Sequence, residues 1–313
     1  MHDRLHAPPA AMIDRISIVV PTRNRAYTLR QVLESHYTQA EVDEIVIVDD
    51  AGTDDTAALV ETFARRYPHV RTIYHRNSGR QGAAGSRMTG VQRCSNEIVL
   101  FCDDDDFLAP DYARTCRRKM AETGAAIVSG RHFYRLPGEA LDTAVRRFGN
   151  GLKQQAPFDM LRFRLNGDAR YPGDVELPFT HGIFMARRSL LLHYGFDAFY
   201  CKGNGFREES DLQMRAFLDG HRILATNETH AIHLHPSEVR AGGQRVNRLQ
   251  RYFWTVYYTR YFYRKYFDRA RRRLRIPYSR TAAIVLFALI EGAVFFVRPL
   301  FVAPARIAAG LRR

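Results

Sequence analysis

The feature that most limits what this 313-residue chain can become is an alternation within its first 130 residues. Short apolar runs rich in β-branched residues, at 15–20 (RISIVV), 44–48 (EIVIV), 71–75 (RTIYH), 97–102 (EIVLFC) and 125–129 (AAIVS), read as strands. The segments between them at 28–37, 55–67 and 82–93 read as helices. Strands alternating with helices of this length imply an α/β fold with a Rossmann-like, mostly parallel central sheet. Ligands of such sheets bind beyond the carboxyl ends of the strands. The residues at those ends are Pro21, Thr22, Arg23 and Asn24, then Asp49 and Asp50, then Asn77, Ser78 and Gly79, and finally Asp103, Asp104, Asp105 and Asp106. Polar and acidic groups collect where a ligand belongs.

The pattern loosens between 133 and 177, where no element can be assigned. It resumes with a strand at 179–186, a helix at 187–194, and a helix at 207–219 closed by Gly220 as C-cap. The runs 222–225 and 230–235 read as strands. No internal repeat is visible.

Charge divides the chain unevenly. The net +14 arises from residues 240–313, which hold 17 Lys or Arg against only Asp268 and Glu291. Residues 1–239 are close to neutral and read as a soluble catalytic domain; 240–313 read as a basic appendage seeking an anionic surface. Cys94, Cys102, Cys116 and Cys201 show neither metal-type pairing nor disulfide-like clustering, which points to reduced, cytosolic chemistry. Residues 1–14 lack the apolar core of a secretory signal.

Four consecutive aspartates after an apolar strand repel one another unless a cation neutralises them. Hard carboxylate oxygens suit Mn²⁺ or Mg²⁺. Along an extended chain Asp103 and Asp105 would face one side. The plainer alternative is a solvated acidic loop, or an N-cap for a helix after Pro110.

Here the chain resembles a known family. SIVVPTRN at 17–24, IVDDAGTD at 47–54, NSG at 77–79 with Gly82, Ala84 and Arg87, and FCDDDD at 101–106 with Pro110 look like the successive signatures of family-2 glycosyltransferases of the GT-A fold. The resemblance covers about residues 15–235. It implies that Asp50 accepts a hydrogen bond from the base of a nucleotide-sugar donor, a UDP-sugar first of all, with Asp49 beside it as a structural cap. Pro21 and Arg23 would wall the base pocket, and Arg87 would face the nucleotide, unless it forms a surface salt bridge. Asp103 and Asp105 match the outer members of a D-x-D motif, Asp103 on the sugar or ribose side and Asp105 on the metal. Asp104 or Asp106 could replace them by a one-residue slip, so Asp104 stays among the donor-side candidates.

A second acidic site opens the 207–219 helix, where Glu208, Glu209 and Asp211 follow a Gly-rich loop. Acids in a first turn are favoured by the helix dipole, and capping is the plain reading, Asp211 included. Transfer to a hydroxyl also needs a general base, which an acid can supply. The family resemblance implies a Glu-Asp pair here, so Glu209 is the candidate base and Glu208 its neighbour; Glu209 stands one methylene longer than the Asp it replaces. Gly182 leaves room for an acceptor or packs closely. His235, at a strand end, is a candidate ligand near the metal or diphosphate, a structural histidine being the alternative.

The tail carries ten aromatic residues between Tyr252 and Phe267, then five arginines from 269 to 275. Rings beside cations suit a bilayer's headgroup layer. Residues 281–297 form an apolar run interrupted only by Glu291, and Arg298 and Pro299 lead to a second apolar stretch. Seventeen residues are short for a crossing and both flanks are arginine-rich, so an in-plane or re-entrant helix at the cytoplasmic membrane face, peripheral or monotopic, fits better. The alternative is a helical layer packed on the catalytic domain or on a second subunit. Long apolar runs among the arginines argue against nucleic acid as partner.

The expectation is an inverting glycosyltransferase acting on a glycan or lipid-linked acceptor. Its rivals are a nucleotidyltransferase of similar fold and a non-catalytic, membrane-bound sugar-binding protein. Residues 21–24 do not resemble the Gly-rich basic loop of the first, and the second gives the acids no purpose.

Overall fold

The computed structural model describes residues 15–297 apart from 151–152, 155, 167–168, 172 and 241–246. The expected readings for residues 1–14 and 298–313 lie outside that range. The expected alternation is present: β1 (Ile16–Thr22), α1 (Ala26–Tyr37), β2 (Val42–Asp49), α2 (Thr56–Arg66), β3 (Arg71–Arg76), α3 (Gly82–Arg93) and β4 (Ile98–Phe101) follow in turn. Then come β5 (Asp106–Leu108), α4 (Tyr112–Thr123), β6 (Ile127–Tyr134) and α5 (Leu141–Asn150). Among the described residues, the stretch with no expected element makes two-residue strands after α5, namely β7 (Lys153–Gln154), β8 (Phe158–Asp159), β9 (Arg164–Leu165), β10 (Ala169–Arg170) and β11 (Val175–Glu176). The chain continues through β12 (Met185–Arg187), α6 (Arg188–Tyr194), α7 (Glu208–Leu218) and β13 (Ile223–His233) to α8 (Arg248–Leu274) and α9 (Arg280–Gly292).

The central sheet runs β11-β13-β6-β12-β4-β1-β2-β3, with β5 paired to β13. The β4-β1-β2-β3 and β13-β6 ladders are parallel, while the short β12 is wedged antiparallel between β4 and β6. Strand alternation explains the layering. Ile16, Ile18, Val20, Ile45 and Ile47 pack with α1, α2 and α4, whereas Val19, Val46 and Val48 pack with α3, α6 and α7 on the other face. On that second face α3 approaches so closely that a Cβ on Gly90 would lie 2.3 Å from a Val19 methyl.

Three expected strands change form. The run at 179–186 pairs only over β12, because upstream donors are met by side chains: Thr180 donates its N–H to Gln213 Oε1 and Ile183 to His181 Nδ1. The runs 222–225 and 230–235 join as one strand, β13, irregular between Ala225 and His230 and ending at His233.

The tail corrects an expectation more sharply. Its aromatic residues were expected in a headgroup layer, yet Phe262, Tyr263, Tyr266 and Phe267 of α8 are buried in one core with Phe158, Phe179 and Met214, and Tyr258 is buried as well. A core helix can carry tyrosines where their hydroxyls find partners, as all but that of Tyr263 among the buried ones do. Tyr258 donates to the Lys202 carbonyl, Tyr266 to Asp211 and Tyr261 to Asp197. This core also takes in Ala283 and Phe287 of α9, so packing runs continuously across residue 239.

Candidate active site

The carboxyl ends of β1 and β2 are bound together before any ligand arrives. Asn24, at φ 54°, accepts from the Thr53 N–H at 2.6 Å, and Asp54 accepts from the Ala26 N–H at 2.8 Å. Asp49 accepts from the Gly52 N–H and the Tyr74 hydroxyl, both at 2.7 Å, which makes it the expected structural cap. Asp50 is also heavily engaged. It accepts from the N–H groups of Gln81 (2.6 Å) and Gly82 (2.9 Å) and from the Asn77 side chain (3.1 Å), so it shapes the turn that starts α3. Pro21 is buried in β1 beside Val48, and Arg23 is exposed just beyond.

The four aspartates, a single motif in sequence, occupy four different settings. Asp103 has about a third of its side chain exposed and accepts from Arg87 Nη2 at 2.6 Å. Asp104 is buried against Arg25 Nη1 at 2.7 Å. Asp105 is buried between Arg25 Nη1, at 3.3 Å, and His233 Nε2, at 3.4 Å. Asp106 enters β5 and faces two imidazoles, His132 Nε2 and His233 Nδ1, each at 2.9 Å. Oxygens of Asp103, Asp105 and Asp106 lie within 4.8 Å of one another.

Electrostatics separates these groups by role. Burial pushes Asp105 up to about 7, only partly countered by His233. Burial acts the same way on Asp106, but the imidazoles of His233 and His132 outweigh it and hold that carboxyl below the usual range. Burial alone would lower His233, yet Asp106 and Asp105 lift it to about 9. Asp106 therefore orients His233 from behind, and His233 presents Nε2 to Asp105. Outer carboxylates hold metal-ligating imidazoles in this way.

His235, expected near the metal, serves elsewhere. Its side chain accepts from the Ser237 N–H at 3.2 Å and caps the turn Pro236–Glu238. The strand-end histidine that meets Asp105 and Asp106 is His233. Both are two residues apart on one strand face, and the sequence signal that separates them is Pro236, which ends the extended chain and turns His235 into a cap. Arg25 and His132 were also missed. Arg25 directly follows the 21–24 motif, whereas His132 lies in the middle of β6 with no local sign of its role.

Arg87 was expected to face the nucleotide. Instead it is buried and binds three carboxylates, donating to Glu208, reaching Asp103 at 2.6 Å and standing 3.3 Å from Glu209 Oε1. One guanidinium thus joins the aspartate turn after β4 to the acids that open α7. Glu208 is almost fully enclosed, and burial pushes it up to about 8. Glu209 keeps about a quarter of its side chain exposed. A Cβ on Gly182 would lie 3.0 Å from Glu209 Oε1, so this glycine leaves the carboxylate its space. Asp211, one turn on, is fully buried and accepts from Tyr200, Tyr266 and Lys265, which fastens α7 to α8 rather than capping it.

Comparison with known proteins bears on the family and the fold. Over 121 residues the chain is 33% identical to the glycosyltransferase GlyA of Streptococcus pneumoniae, spanning 38% of this chain and 17% of that one. Over 185 residues it is 28% identical to the GalNAc(5)-diNAcBac-PP-undecaprenol beta-1,3-glucosyltransferase of Campylobacter jejuni, 59% of this chain and 57% of that one. The chain therefore spans little more than half, or less, of these relatives. In fold it is similar to S. aureus TarS 1-349 in complex with UDP-GlcNAc, with a TM-score of 0.57 at 17% identity, covering 90% of this chain and 73% of that one. It is also similar to the mannosyltransferase PcManGT of Pyrobaculum calidifontis in complex with GDP-Man and Mn²⁺, with a TM-score of 0.54 at 18% identity, covering 95% and 79%. The glycosyl transferase family 2 model matches residues 17–195, more than half of the chain, and the chain belongs to that family.

Proposed function

We propose that this chain transfers a sugar, with inversion, from a nucleotide-diphosphate donor to an acceptor hydroxyl. The observation that carries this reading is the bridge made by Arg87, which brings Asp103 and Glu209 within reach of one guanidinium. A donor-side carboxylate and a candidate base then stand on one guanidinium, close together as a single displacement requires.

The residues present fit a divalent cation. Oxygens of Asp103 and Asp105 offer hard ligands close to one another, and His233 Nε2 stands 3.4 Å from Asp105. Asp105 and His233 would hold the ion, Mn²⁺ or Mg²⁺, with Asp103 turned to the sugar or ribose. A bound ion supplies charge neutralisation to the departing diphosphate. Glu209 takes the proton of the acceptor hydroxyl as its oxygen bonds to the anomeric carbon and the bond to the diphosphate breaks on the opposite face. Glu208 and Arg87 fix Glu209 in place. Pro21 and Arg23 border the base, and Asp50 acts mainly by shaping the α3 turn.

A UDP-sugar is the proposed donor, supported by the UDP-GlcNAc in the S. aureus neighbour, although the Pyrobaculum neighbour holds GDP-Man. A lipid-linked acceptor is supported by the polyprenol substrate in the Campylobacter relative's name and by the outer faces of the tail. Leu249, Phe253 and Tyr257 on α8, and Val285 and Leu289 on α9, are exposed. Arg280–Val297 is apolar enough to cross a membrane, with 17% of it buried. Its acid, Glu291, is turned inward to Arg164 at 3.3 Å, so α9 has a protein side and an outer side. That supports an in-plane helix at the cytoplasmic membrane face.

The test is turnover of a panel of nucleotide-sugars with and without Mn²⁺. Asp105→Asn is expected to abolish metal-dependent turnover. Glu209→Gln is expected to lower kcat by roughly 10²–10⁴-fold with donor binding retained. Normal metal-dependent turnover by Asp105→Asn would remove the metal assignment, and absence of any nucleotide-sugar turnover by the wild-type protein would favour the non-catalytic rival.

A further inference from the structure

Arg207 immediately precedes Glu208 and Glu209, and its φ is 82°. In that left-handed region an arginine is strained and a glycine is not. The backbone gives no reason for an arginine here, so the reason lies in its side chain. That side chain is buried and its partners are neutral: it donates to the carbonyls of Phe163 and Arg162 and faces the Thr259 hydroxyl of α8 at 3.4 Å. The rings of Phe262 (5.0 Å), Phe206 (5.1 Å) and Phe287 (5.7 Å) enclose the guanidinium.

Two of these rings come from the tail, Phe262 from α8 and Phe287 from α9. One turn beyond Phe287, Glu291 reaches Arg164 at 3.3 Å and Arg162 at 3.7 Å, on the loop whose carbonyls hold Arg207. The tail also grips the other side of the α7 entry. Tyr258 bonds the Lys202 carbonyl, and Trp254 lies so close to Gly203 that a Cβ there would be 2.3 Å from its ring. Cys201 in turn meets Gly82, where a Cβ would lie 2.8 Å from the Cys201 carbonyl oxygen.

We propose that Arg207 is a positioning residue for the Glu208–Glu209 pair, and that α9 sets this position through Phe287 and Glu291. A helix with an apolar outer face thereby acts on the acid end of the site without touching substrate. The proposal rests on the reading of Glu209 as the proton acceptor.

The experiment uses the full chain, turnover of whichever UDP-sugar the wild-type protein accepts, and UDP binding by calorimetry. Arg207→Gly keeps the backbone free of strain while removing the clamp. It is expected to lower kcat roughly ten- to hundredfold while UDP affinity stays within about threefold, with Arg207→Lys in between. Phe287→Ala is expected to move kcat in the same direction with UDP affinity retained, and Leu289→Ser, on the outer face, to leave turnover of a soluble acceptor unchanged. A kcat for Arg207→Gly within about twofold of wild type would overturn the proposal, as would a loss of UDP affinity as large as the loss of kcat. If Arg207→Gly does not fold, Phe287→Ala decides, and an unchanged kcat overturns the coupling. Should Glu209→Gln turn over normally, the base assignment fails instead, independently of the Arg207 result.

Discussion

At the scale of single residues, the candidate site is a set of charges held against their ordinary tendencies. Asp105 is raised to about 7 and Glu208 to about 8, both first of all by burial, and His233 is lifted to about 9 by the carboxylates it faces. Each folded value exceeds the unfolded one, so the folded state binds more protons between pH 7 and 9. Stability of the metal-free protein should therefore fall as pH rises through that window. Below pH 7, His36 and His181, lowered by burial to about 4 and 3, act in the opposite sense. Mn²⁺ should flatten the decline, since a cation replaces the protons as partner of these groups. Melting temperatures at pH 7, 8 and 9, with and without Mn²⁺, test this; a rise towards pH 9 in the metal-free protein would contradict the charge assignment.

At the scale of elements, α7 and α8 form a polar joint inside an otherwise aromatic core. Lys265 stands 2.7 Å from both Asp197 and Asp211, and Asp211 is fully buried. Lys265→Met removes the cation and leaves Asp211 with hydroxyl partners and Arg215, which should cost about 1–3 kcal/mol in denaturant unfolding. A change below about 0.5 kcal/mol would mean that the joint adds little. The sequence made the β1–β4 half legible because alternation and strand-end polarity are local signals; the four aspartates stood out that way, whereas Glu208 and Glu209 stood out as first-turn acids of a helix and through the family resemblance. It did not disclose Arg87 as a bridge, since its partners lie 16 and 121 residues away. Nor did it disclose that the tyrosines of α8 face a core, because their hydroxyl partners at 197, 202 and 211 become neighbours only on folding. His235 was taken for His233 because strand periodicity places both on one face, and the register of the turn after β13 decides between them.

At the scale of the whole molecule, a near-neutral sheet domain carries a strongly basic helical tail whose inner face is part of the core and whose outer face is apolar. Arginines around an apolar stripe favour an anionic bilayer. Replacing both Val285 and Leu289 by Asp should reduce co-sedimentation with vesicles containing anionic lipid while leaving nucleotide binding intact; undiminished sedimentation would place the contact elsewhere. The close seating of Trp254 on Gly203 has a practical corollary. It is the only tryptophan in the chain, so tryptophan fluorescence watches a single joint, four residues before Arg207. Emission recorded while vesicles or nucleotide are added would report, without any label, whether events at the bilayer reach the catalytic acids.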